Sequence, residues 1–191
     1  MKYKEKVTRP RSSFLPWQPS TWPRVPPNAD EEFLTVLARI FNASMLDEIR
    51  NVVEDIKKTN GDLSHRGHVV AIALMCALDA VSSYGYRGRR GEHIAKFVQN
   101  HFPPEYRPHA DDIYGMYRNS LIHSWNLFEA TILPGSEGIR KTDHTLSFGL
   151  LNFLSAFQSG VDDFLKTLET DAHLQSNTRN RYEKLRTTAR P

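Results

Sequence analysis

Within the string YRNSLIHSW (residues 117–125), two side chains have the chemistry to act on a phosphodiester, Arg118 and His123. Arginine stays charged at every ordinary pH and presents a planar fork of donors that matches phosphate oxygens. Histidine titrates near neutrality, so it can take a proton or give one. Asn119, one helical turn before His123, is close enough to hydrogen-bond its ring. Displacement at a phosphodiester needs these services: proton removal, charge stabilisation at phosphorus and protonation of the leaving oxygen.

These residues must be positioned by a helix, the fourth of the chain, read as HADDIYGMYRNSLIHSWNLF, starting at the first-turn proline Pro108 and running to about Trp125. At roughly 100° per residue, Ile113, Met116, Tyr117, Ser120, Leu121 and Ser124 share the face that packs inward, while Asp112, Asn119 and His123 form a separate stripe. Arg118 flanks the apolar face, about 140° from His123. The two therefore do not stack as an i, i+4 pair would. Either they converge from two sides of a groove, or two copies of the helix meet across a dimer axis. The plainer reading is structural: Arg118 pairs with Asp111, and His123 is a satisfied, half-buried histidine.

The string Arg118-Asn119-Ser120-Leu121-Ile122-His123 resembles the arginine, polar residue, three further positions and histidine of the HEPN superfamily (higher eukaryotes and prokaryotes nucleotide-binding domain). It also falls on a late helix of an all-α chain, as in that family, and the resemblance covers roughly residues 30–170. It implies a metal-independent endoribonuclease of the toxin or defence-effector type, with a composite active site in a homodimer. His123 would be the acid or base, Arg118 would bind and polarise the scissile phosphate, and Asn119 would orient either. Asp79, Tyr117 and Trp125 would support that site from behind. Other members of the family have lost catalysis and serve in dimerisation, RNA binding or partner binding, and that is the alternative here. One branch carries a tyrosine two positions after the histidine, which a partner nucleotidyltransferase modifies. This chain has Trp125 there, which has no hydroxyl, so an antitoxin of that kind has nothing to modify at this position.

The remaining elements follow from periodicity. A first helix begins near Asn28 or Asp30 and carries Phe33, Leu34, Leu37, Ile40 and Phe41 at helical spacing. It breaks at residues 42–44, resumes through Ile56, and ends at Asn60–Gly61. A second helix is capped by Ser64 and is apolar from Val69 to Val81, so it should be buried on most sides, with Cys76 an inert core thiol. Asp79 in that run needs a partner if buried, and Arg118 is the candidate. A short third helix covers about Glu92 to His101. Between the fourth and fifth helices, Pro134, Gly135 and Gly138 separate Thr131–Ile132 from Ile139–Thr142, the pattern of a small β-hairpin. The fifth helix buries Leu150, Leu154, Phe157, Val161, Phe164 and Leu168. The fold class expected is all-α: an up-and-down bundle of about five helices, with that hairpin between the last two.

Three regions divide the chain. Residues 1–28 are a Pro/Trp-rich basic arm, in which Pro10, Pro16, Pro19, Pro23, Pro26 and Pro27 exclude helix, and Phe14, Leu15, Trp17 and Trp22 need somewhere to bury. Residues 29–170 are the bundle, and residues 171–191 a basic tail, helical in part. Of the net charge of +3, the arm carries about +5 and the tail about +3, leaving about −5 for the middle. Positive ends suit a polyanion such as RNA, or are simply solvated. The loop GYRGRRG (residues 85–91) adds Arg87, Arg89 and Arg90 with glycines that let backbone donors approach phosphate. The spacing of the eight histidines and the lone Cys76 matches no metal motif, so neither metal nor cofactor is expected. One cysteine forms no internal disulfide, there is no leader or membrane-span pattern, and a reducing cytoplasm is the expected setting.

Overall fold

Phe33, Leu37 and Phe41 put an apolar stripe on α1 (Asp30–Phe41), and the helix does not stop where residues 42–44 suggested a break. It runs through a π-helical turn (Asn42–Leu46) straight into α2 (Asp47–Asn60). Such a turn accommodates one extra residue without ending the helix. Here Gln158 of the later helix α6 (Leu150–Thr170) donates to Asn42 Oδ1 at 3.3 Å and accepts from Arg50, bracketing the turn. Gly61, at φ 79°, closes α2 with its N–H on the Lys57 carbonyl, as the Asn60–Gly61 pair implied. The computed structural model describes residues 30–63, 66–88, 91–116, 130–142 and 145–188, without the side chains of 30–32, 60, 116, 130, 186 and 188.

The second expected helix is α3 (Gly67–Gly85). Ser64 lies outside the described residues, and the helix starts later than a Ser64 cap would place it: the amides of Arg66 and Gly67 both donate to the Leu63 carbonyl. By length and composition, α3 is the one described helix apolar enough to cross a membrane. In the fold it touches α2, α4 (Glu92–His101), α6 and α7 (Ala172–Thr188). Leu74, Leu78 and Val81 are fully covered, but Val69 is 53% exposed and Cys76 is also exposed. The expectation of a core thiol at Cys76 is therefore corrected: an all-apolar helix can leave one face uncovered, and Cys76 lies on that face.

A 3-10 turn (Arg107–His109) containing Pro108 leads into α5 (Ala110–Met116), the described start of the fourth expected helix. The strands β1 (Ala130–Leu133), β2 (Arg140–Lys141) and β3 (Leu146–Gly149) follow. They correct the expected hairpin. β1 and β2 do not pair with each other; β3 lies between them, parallel to β1 and antiparallel to β2. The reason is burial: Leu146 and Phe148 of β3 are the covered residues, so that strand takes the centre. The Pro134–Gly138 stretch caps a helix instead, since the amides of Gly149 and Leu151 donate to the carbonyls of Glu137 and Gly135 at 2.9 and 3.1 Å.

Phe153, Phe157 and Phe164 of α6 meet Phe97 of α4 and Phe102, and Phe148 stacks on Phe153 at 4.7 Å. This aromatic cluster is the centre of the core. The C-terminal stretch expected as a tail is helix over Ala172–Thr188, with Leu174, Thr178 and Tyr182 buried where α7 packs on α3. The chain is mostly helical, with one small sheet.

Candidate functional site

Arg118, Asn119 and His123, with Tyr117 and Trp125, lie outside the described residues, as do Arg89 and Arg90. What the structure does place is the ground next to them in the chain. Asp112 of α5, seven residues before Asn119, accepts from Lys141 of β2 through both carboxylate oxygens, at 2.9 and 2.8 Å. The sheet is thus tied to the start of the helix on which the arginine and histidine were sought. His109 Nδ1 sits 3.8 Å from the same carboxylate, too far for a hydrogen bond, and is buried without one among the described residues.

Asp79 does have a described partner, His93 of α4, at 2.7 Å; Arg118, the partner suggested for it, lies outside the described residues. The residue that follows α3 builds a second pair of this kind. Tyr86 O–H donates to His101 Nε2 at 2.6 Å, and His101 Nδ1–H donates to Asp163 of α6 at 2.7 Å. One hydrogen placement satisfies all three groups, with the ring neutral. Burial is the main cause holding His101 below its usual pKa; the Asp163 hydrogen bond and charge oppose it without winning. Burial likewise pushes Tyr86 up to about 12. The His101 side chain is only 3% exposed and both its nitrogens are engaged, so it joins three elements instead of acting as a free base. α4 is thereby clamped at its start to α3 and at its end to α6.

This clamp forms the floor of a cleft of about 680 Å³ between the end of α3, α4 and α7. Arg87, Lys96, Asn100 and Asn177 lie on its walls. A second cleft, of about 550 Å³, adjoins it, shares Tyr86, Arg87 and Asn177, and adds Arg181 and Lys184. Asp171 is the one carboxylate among the residues lining the pair, and it is engaged in accepting from the Leu174 amide at the start of α7. Four cations against one committed carboxylate make a groove that favours an anion. Lys96 Nζ also bonds the Arg87 carbonyl at 3.3 Å, which fixes the loop beneath the guanidinium.

Of the three loop arginines expected to contact RNA, Arg87 alone is described, and it lines both clefts. Sequence reasoning placed Arg181 and Lys184 in a basic C-terminal stretch but missed Lys96 and the groove they share, because 85 residues separate Lys96 from Arg181. Spacing reveals partners on one element and is silent on residues from two. Among the described residues no cluster of His, Cys, Asp or Glu has the arrangement to hold a metal ion. No family model, no curated protein and no solved structure matches the chain.

Proposed function

We propose that the chain is a HEPN-type, metal-independent endoribonuclease that works as a homodimer, and that the described helices belong to an up-and-down bundle of that type. The observation that carries this reading is the string Arg118–His123, which begins two residues beyond α5 in a mostly helical chain. In this reading His123 removes the proton from the RNA 2′-hydroxyl. The 2′-oxygen attacks phosphorus, Arg118 holds the phosphate oxygens, and His123 of the partner subunit protonates the 5′-oxygen as it leaves. The products are a 2′,3′-cyclic phosphate and a 5′-hydroxyl. The groove carrying Arg87, Lys96, Arg181 and Lys184 supports the same reading by offering the strand a cationic track.

The test is incubation of the chain with single-stranded RNA in the presence of a chelator, with the cleaved termini identified. His123→Ala and Arg118→Ala are each expected to slow cleavage by about 10²–10⁴-fold, the usual contribution of such groups. Equal cleavage by the His123 variant ends the nuclease reading. The same cationic groove also favours the non-catalytic alternative, an RNA-binding module. RNA binding that is unchanged in His123→Ala, with no cleavage by either protein, is its expected result.

A further inference from the structure

The exposed face of α3 forms, with α2 and the π turn, an apolar groove of about 410 Å³ on another part of the surface. Met45, Ile49 and Val52 line one wall, and Val69, Ala73 and Cys76 the other. Val52 and Val69, 45% and 53% exposed, are the exposed large hydrophobics among the described residues, and both are here. Leaving such a strip in water forgoes the stabilisation that covering apolar surface brings. We propose that this groove seats the chain's own N-terminal arm, with Trp22 and Trp17 as the anchoring side chains.

Three arguments select that occupant. The first is reach. Met45 is 15 residues beyond the start of α1, roughly 22 Å along a helix. The eight residues from Trp22 to Asp30 span roughly 26 Å when extended. An arm that turns back along α1 therefore delivers Trp22 to the groove, and Trp17 and Phe14 further along it. The second is chemistry. Six prolines between residues 10 and 27 favour an extended chain without backbone donors at those positions, which docks through its side chains and needs no strand partner. Being tethered, it binds at high effective concentration. The third is charge. The arm carries about +5, and Glu48 at the groove makes no ion pair among the described residues, whereas Asp47, Glu54 and Asp55 of the same helix are already paired.

Cys76, the chain's single thiol, lines the groove and reports on its cover. The full chain and a full-length Trp17→Ser/Trp22→Ser variant are labelled with a maleimide in mildly alkaline buffer, at several protein concentrations. The variant's Cys76 is expected to react at least about tenfold faster, at a ratio independent of concentration, as release of a tethered cover requires. In a Trp125→Phe background, Val52→Asp/Val69→Asp is expected to shift the emission of Trp17 and Trp22 towards that of indole in water. Equal labelling rates, or unchanged emission, overturn the proposal. Protection that survives in the double-serine variant and grows with concentration also overturns it, by assigning the groove to a second copy. The inference does not depend on the nuclease reading, and its test does not measure RNA cleavage.

Discussion

His101 shows how a single buried side chain ties stability to pH. The folded protein holds its ring neutral, because burial depresses its pKa below the ordinary value. As pH falls, the unfolded chain takes the proton first, at about 6.5. Stability from this site is therefore complete above that pH, and is lost as pH drops through the lower folded value. Urea midpoints of the intact chain are expected to decline from about pH 6.5 downward, whereas His101→Asn, already less stable at neutral pH, declines less steeply over the same range. Parallel curves would show that His101 does not carry the dependence. The histidines were visible in the sequence, but their partners were not. His93 meets Asp79 across 14 residues and His101 meets Asp163 across 62, and no local spacing encodes either pairing.

At the scale of elements, two of the attachments of α5 should differ in strength. Gly91 begins α4 at φ 87°, a left-handed conformation, and a Cβ there would fall 1.7 Å from the Tyr114 ring of α5. Gly91→Ala thus combines backbone strain with a clash, and is expected to cost on the order of 2–4 kcal/mol in chemical denaturation. The Lys141–Asp112 ion pair joins β2 to the same helix, but Lys141 is half exposed. Lys141→Ala should cost about 1 kcal/mol or less. A larger loss for Lys141→Ala than for Gly91→Ala would reverse the proposed order of the two attachments. Several elements were legible because their signals are local: the apolar period of α6, the Gly61 stop of α2, and Pro108 in the turn before α5. The sheet was legible only as strand-forming residues. Its order depends on which strand the core buries most, and that is a property of α6 and the Phe148–Phe153 stack as much as of the strands.

For the whole molecule, two surfaces of opposite character emerge, one cationic between α3, α4 and α7, the other apolar between α2 and α3. If the cationic groove tracks a strand of RNA, each contributing cation adds about 0.7 to the slope of log K against log salt. Arg87→Ala and Lys96→Ala are each expected to reduce that slope by about this amount and to weaken binding similarly for all RNA sequences. A slope unchanged in the double variant would remove the groove from the RNA path. Neither surface could be read from composition. Net charge located the basic C-terminal stretch but not that its Arg181 and Lys184 share a groove with Lys96 of α4, and the apolarity of α3 suggested a helix covered on most sides without saying which side stays open.

The sequence by itself determined what local forces govern: a mostly helical chain, the limits of α3, α4 and α6 to within a few residues, and a phosphate-directed pair at Arg118 and His123 as a chemical expectation. Tertiary structure decided which strand is central, that Asp79 answers to His93, that Cys76 faces outward, and that α7 belongs to the body of the fold. The physical reason is range. Helix periodicity, caps and turns are settled by neighbours within a few residues, whereas burial, ion-pair partners and clefts depend on surfaces that meet only after distant segments have packed.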